Sequence, residues 1–143
     1  MYQYIQRYFS EKSVGYYLAL AAAVLSVAGA AVYGGSFSSD EERFSLVAFI
    51  LPLAGSTAFL VLSAFRVTAP FSSAALAACV YGAFLRFVSR QIIYLSDVFY
   101  GGVTLSAIAS LDGGFIACSL LFLSGIGLSV AGIFLKTYKK ERV

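Results

Sequence analysis

Three long apolar runs, each bounded by glycine pairs, charged residues or both, set the layout of this chain. They cover residues 14–33, 44–65 and 115–135, and each supplies the roughly 20 apolar residues that a helix needs to cross a bilayer. Gly34-Gly35 and the charged stretch Asp40 to Arg43 follow the first run, Arg66 follows the second, and Asp112-Gly113-Gly114 precedes the third. Between Pro70 and Leu111 the pattern is less regular. A further helix starts at Phe71, directly after a proline suited to a first turn, and becomes long enough to span when it continues to about residue 93. Beyond it, "VFYGGVTLSAIASL" is apolar but of a length typical of re-entrant or interfacial pieces. Residues 94–114 are therefore expected to form an outer loop with a short helix.

Charge decides how many of these segments cross. With four spans, Arg7, Lys12, Arg66, Lys136, Lys139, Lys140 and Arg142 share one side, and Arg43, Arg86 and Arg90 face the other. The preference of Lys and Arg for the cytoplasm then puts both termini inside. A fifth span at 98–111 would push the C-terminal cluster outside. The expectation is a single all-α domain over residues 1–143, a polytopic membrane protein built as a four-transmembrane-helix bundle. Spans are expected at about 14–33, 44–65, 71–93 and 115–135, with a basic tail at 136–143 that touches anionic lipid. Residues 2–12 place Tyr2, Ile5, Tyr8 and Phe9 on one helical face, the pattern of a short helix in the headgroup layer.

Composition supports the membrane assignment. The chain is 60% hydrophobic and 12% charged, with a mean hydropathy of +0.87, whereas soluble domains are about half apolar and a quarter charged. So small a chain cannot hide the excess in its own core. The net charge of +3 is dispersed, without the basic stripe that nucleic-acid binding requires. There is no tryptophan, so tyrosines are expected at the interfaces: Tyr16, Tyr17 and Tyr138 inside, Tyr33, Tyr94 and Tyr100 outside.

Lipid tails are as apolar as leucine, so helix association must come from close backbone approach and interhelical hydrogen bonds. Small-residue stripes suited to this are Ala74, Ala78 and Gly82 on the third span, Ala22, Ser26 and Ala30 on the first, and Gly125 and Ser129 on the last. Such stripes pack a bundle internally or face a second copy. Pro52 is expected to kink the second span and free the carbonyl of Ala48.

Candidate chemistry is confined to "LRFVSRQIIYLSD". On a continuous helix Arg86, Arg90 and Asp97 lie within about 40° of one another, so this face meets protein or water rather than lipid. They either mark the wet end of the helix, with Asp97 paired to an arginine, or line an outward-facing vestibule for an anion or carboxylate. Tyr81, near mid-span, needs an internal partner for its hydroxyl and is a weaker ligand-contact candidate. The chain has no histidine, which excludes imidazole triads and histidine-ligated metals, and its glutamates all fall outside the spans. No cofactor and no metal site is expected, and catalysis is not. The reading is a non-enzymatic accessory, assembly or self-associating protein of a bacterial inner membrane, its partners lipid and a second copy or another membrane protein. The alternative is a small oligomeric transporter or channel with its anion-leaning site at Arg86, Arg90 and Asp97.

Overall fold

The computed structural model describes residues 12–65 and 67–135. The expected interfacial helix and basic tail lie outside these residues, apart from Lys12. The described chain is helical, with no strand among the described residues. Its elements are α1 (Val14–Phe37), α2 (Leu46–Ala64), α3 (Ala69–Val98), a short α4 (Leu105–Ala109) and α5 (Gly113–Phe134). Four of them, α1, α2, α3 and α5, are long and apolar enough to cross a membrane.

Each long helix packs against two neighbours, α1 on α2 and α5, and α3 on α2 and α5. Successive long helices run up and down, giving an antiparallel four-helix ring. One end of the ring, termed terminal here, carries the start of α1, the α2–α3 turn and the end of α5. The other end, termed distal, carries the α1–α2 loop and the α3–α5 connection.

The seams rest on small residues, as membrane packing requires. A Cβ on Gly125 of α5 would lie 2.9 Å from Ser26 Oγ and 3.6 Å from the Ala22 carbonyl on α1. The α1 stripe Ala22, Ser26 and Ala30 is fully buried, and Ser129 on α5 is buried with it. Between α2 and α3 the approach is closer still: a Cβ on Gly55 would meet Cys79 Cβ at 2.6 Å. Pro52 sits buried within an unbroken α2. One turn on, Ser56 Oγ donates to the Pro52 carbonyl at 2.8 Å and lies 3.3 Å from the Ala23 carbonyl of α1.

The stripe of α3 is placed differently. Ala74 and Ala78 are exposed, and only Gly82 nears a neighbour, where a Cβ would lie 3.5 Å from Leu51 Cδ1. The buried face of α3 instead carries Leu76, Ala77, Val80, Ala83 and Phe87. At the level of Ala74 and Ala78 the inward side of α3 is taken by Ser72, Ser73, Leu76 and Ala77. Farther along, in the distal half, Phe87 touches Tyr33, Phe115 and Phe122 at centroid distances of 5.6, 5.6 and 5.9 Å, a volume that alanines would leave empty.

Helix ends also differ from the apolar runs. α1 continues through Gly34-Gly35 to Phe37, because Gly34 is a packing residue: a Cβ there would come within 2.9 Å of the Phe49 ring. Two expected belt tyrosines are interior. Tyr16 is stacked on Phe59 at 5.6 Å, and Tyr33 is fully buried. At the terminal end Lys12, 1% exposed, donates from Nζ to the Ser63 carbonyl at 2.6 Å. A cation there complements the carbonyl end of α2. α3 is 30 residues long, about 45 Å at 1.5 Å per residue, and outlasts a hydrocarbon core of about 30 Å by some ten residues.

Candidate functional site

The polar residues of the distal end are organised by the α1–α2 loop. Asp40 makes the turn: its Oδ1 accepts from the backbone N–H of Glu42 at 3.2 Å and of Arg43 at 3.1 Å, a side chain standing in for a backbone carbonyl. Tyr33 fixes the loop from below, its hydroxyl donating to the Arg43 carbonyl at 3.0 Å and accepting from Ser45 N–H at 2.6 Å. Together they turn the Arg43 side chain inward, over the top of the ring.

There the Arg43 guanidinium is sandwiched, its Cζ 4.4 Å from the Phe37 ring centroid and 4.2 Å from that of Tyr94. Its Nε donates to Gln91 Oε1 at 2.8 Å and its Nη2 to Asp112 Oδ2 at 3.3 Å. The same Asp112 caps α5 with its other oxygen, accepting from Gly114 N–H at 3.1 Å, and its own N–H donates to the Tyr94 hydroxyl at 2.6 Å. One guanidinium thus joins the α1–α2 loop, α3 and the start of α5. Gln91 is fully buried, and with its carbonyl oxygen turned to Arg43 its Nε2 has no partner among the described residues. Arginine only donates, so the amide cannot be reversed without setting donor against donor.

Beside this cap lies a cavity of about 190 Å³ lined by Asp40, Glu42, Arg43, Arg90, Ile93, Tyr94 and Asp97. Positions 90, 93, 94 and 97 fall on one helical face by their spacing of three and four residues. Arg90 Nη1 reaches the Glu42 carbonyl at 3.4 Å. The carboxylates of Glu42 and Asp97 form neither ion pairs nor hydrogen bonds among the described residues.

Of the residues singled out from the sequence, Arg90 and Asp97 come together in this cavity. Arg86 lies one turn below, exposed and outside the lining. Asp97 pairs with neither arginine; the ion pair recorded at this end is Arg43–Asp112. Tyr81 is 53% exposed on the outer face of α3 and makes no hydrogen bond among the described residues. Sequence reasoning missed Arg43, Gln91 and Asp112. An aspartate directly before a helix start is an N-cap signal that could have found Asp112. Nothing periodic marks a loop arginine.

Chemically, Arg43 is committed to Gln91, Asp112 and two ring faces, whereas the cavity keeps one lightly held guanidinium and two carboxylates without partners among the described residues. Among the described residues no group of three His, Cys, Asp or Glu is placed to hold a metal. A second cavity of about 230 Å³ opens between α1 and α2, lined by Leu20, Ala23, Val24, Val27, Ser56 and Leu60, and its walls suit an acyl chain. No family model, curated protein or solved structure matches the chain.

Proposed function

We propose that this is a non-enzymatic integral membrane protein that works by association, docking the outer face of α3 against a second copy of itself. Both termini lie in the cytoplasm in this reading, supported by the share of Lys and Arg on that side. The observation that carries it is Tyr81. Its hydroxyl lies about 18 Å along α3 from Ala69 at 1.5 Å per residue, near the middle of a bilayer core of about 30 Å, and has no hydrogen-bond partner among the described residues. An unsatisfied hydroxyl in hydrocarbon is costly. Ala74 and Ala78, exposed on the same face, would let a neighbouring backbone come close enough to accept from it.

The test is the copy number in lipid vesicles, read by single-molecule photobleaching as protein density rises. The wild type is expected to dimerise, Ala78→Ile to remain monomeric, and Tyr81→Phe to weaken the dimer by about 0.6 kcal/mol, the average worth of such a hydrogen bond. A wild type that stays monomeric while a distinct membrane protein co-purifies would move the partner from a second copy to an accessory complex. Monomers without any partner would sink the reading. Reaction of Lys139 or Lys140 with an impermeant reagent in intact cells would invert the orientation.

A solute-transporting reading draws on the distal cavity. Three acids against two arginines in its lining, with Arg86 outside it, do not favour the anion that the sequence suggested.

A further inference from the structure

We infer that the distal cavity binds a zwitterion of the phosphoethanolamine type, its phosphate on Arg90 and its ammonium between Glu42 and Asp97. This inference is independent of the association through α3 and uses none of its residues.

Three observations lead to it. The first is the charge left over once the cap is complete. Arg43 is taken by Gln91 and Asp112, and one oxygen of Asp40 by its own turn. What faces the cavity uncommitted is Arg90, with a single long bond of 3.4 Å, and the carboxylates of Glu42 and Asp97. A purely anionic ligand would meet those two carboxylates and the charge of Asp40, and a simple cation would leave the guanidinium of Arg90 unmatched, so neither satisfies all the free groups. A ligand with both charges matches both.

The second is height. Arg90 stands 21 residues beyond Ala69 on α3, about 32 Å at 1.5 Å per residue, level with the edge of a core of about 30 Å. That is where lipid phosphates lie, and a guanidinium is well shaped to fork onto phosphate oxygens. The third is size. The cavity's 190 Å³ equals about six waters at some 30 Å³ each, room for a headgroup and not for a whole lipid.

The same chemistry could reach the cavity as a lipid headgroup or as a free solute. The experiment separates them. The full chain in mild detergent is offered equal amounts of phosphatidylethanolamine, phosphatidylcholine and phosphatidylglycerol, and bound lipid is counted by native mass spectrometry. In parallel, thermal unfolding is followed with soluble phosphoethanolamine. Phosphatidylethanolamine is expected to be retained about two- to fivefold over phosphatidylglycerol, the range that exposed ion pairs supply. Phosphatidylcholine, whose nitrogen has no N–H to donate, is expected between them. Arg90→Gln should lower retention of all three by about two- to fivefold, and the double variant Glu42→Gln, Asp97→Asn should invert the order in favour of phosphatidylglycerol. All three side chains are exposed, so unchanged melting of the lipid-free variants serves as the folding control. Stabilisation by soluble phosphoethanolamine without lipid preference keeps the chemistry and assigns it to a free zwitterion. A wild-type preference for phosphatidylglycerol, undiminished retention by Arg90→Gln, a double variant that keeps the wild-type order, or no response to either probe overturns the inference.

Discussion

Arg43 and Arg90 sit at the same end of the bundle and border the same cavity, yet they are different kinds of residue. Arg43 comes from a loop, has a side chain 20% exposed, and is stacked between two rings with partners on α3 and α5. Arg90 comes from the long helix that seemed to carry the chemistry, is exposed, and holds one carbonyl at 3.4 Å. The loop arginine is the structural one and the helix arginine is available. What separates a structural charge from a functional one here is the completeness of its partners, and depth along the helix does not predict it.

The largest effect that could break this contrast is Arg43→Met. It would strand Asp112 and leave the buried Gln91 amide with no partner at either end. Breaking a buried pair costs about 3–5 kcal/mol. Asp112 is 41% exposed, so solvent takes up part of the loss and about 2–3 kcal/mol is expected. Arg43→Lys should recover little, because an ammonium can neither stack as a plane nor serve Gln91 and Asp112 together. Unfolding free energy in bicelles is the measurement. A loss under 1 kcal/mol would mean that the cap is ornamental and the contrast empty.

A smaller effect sharpens the same point from the other partner. Gln91→Leu removes the acceptor of Arg43 Nε, but it also removes a buried N–H group that has no partner of its own. The two changes oppose each other, since losing a hydrogen bond to a charged group costs about 1.5–3 kcal/mol while an unsatisfied buried donor already costs about 1–3. The net change should stay within about 1 kcal/mol of zero in the same assay. A loss as large as that of Arg43→Met would show that Gln91 Nε2 has an acceptor after all, such as an ordered water.

The contrast also explains what could be read in advance. The four helices long and apolar enough to span were legible because length and hydropathy alone define them, and Ser26, Gly125 and Ser129 were legible as stripes at helical spacing, though not that α1 and α5 are the helices they join. Spacing names a stripe but not its direction. Ala74 and Ala78 have the same signature as Ala22 and Ser26, yet they face outward, because Ser73, Leu76 and Ala77 take the inward side of α3 at their level. The candidate site was half legible. Arg90 and Asp97 share a helix, so their common face follows from 100° per residue. Arg43 and Asp112 are 69 residues apart and meet only through the closure of the ring, which no local pattern encodes. Gly34-Gly35 resembled a stop signal, and the ring of Phe49, a residue of the next helix, decides otherwise.

The smallest expected effect is the most diagnostic. Arg86→Ala and Arg90→Ala should each change stability by less than about 0.5 kcal/mol, as surface substitutions do, and their double variant should depart from additivity by the roughly 0.2–0.5 kcal/mol that a like-charge pair at i, i+4 carries. Arg86 makes no side-chain hydrogen bond or ion pair among the described residues. Arg90 gives up one long bond to a loop that Asp40 and Tyr33 already hold. Stability therefore cannot distinguish the two, but the cavity can: Arg90 lines it and Arg86 does not. If both alanine variants lost bound zwitterion equally, Arg86 would have to reach the cavity by a side-chain path other than the one seen here, and the vestibule of three charges on one helix face would regain its place. If only Arg90→Ala does, the helix pattern overstated the site by one arginine, and the loop supplied the acid that completes it, Glu42.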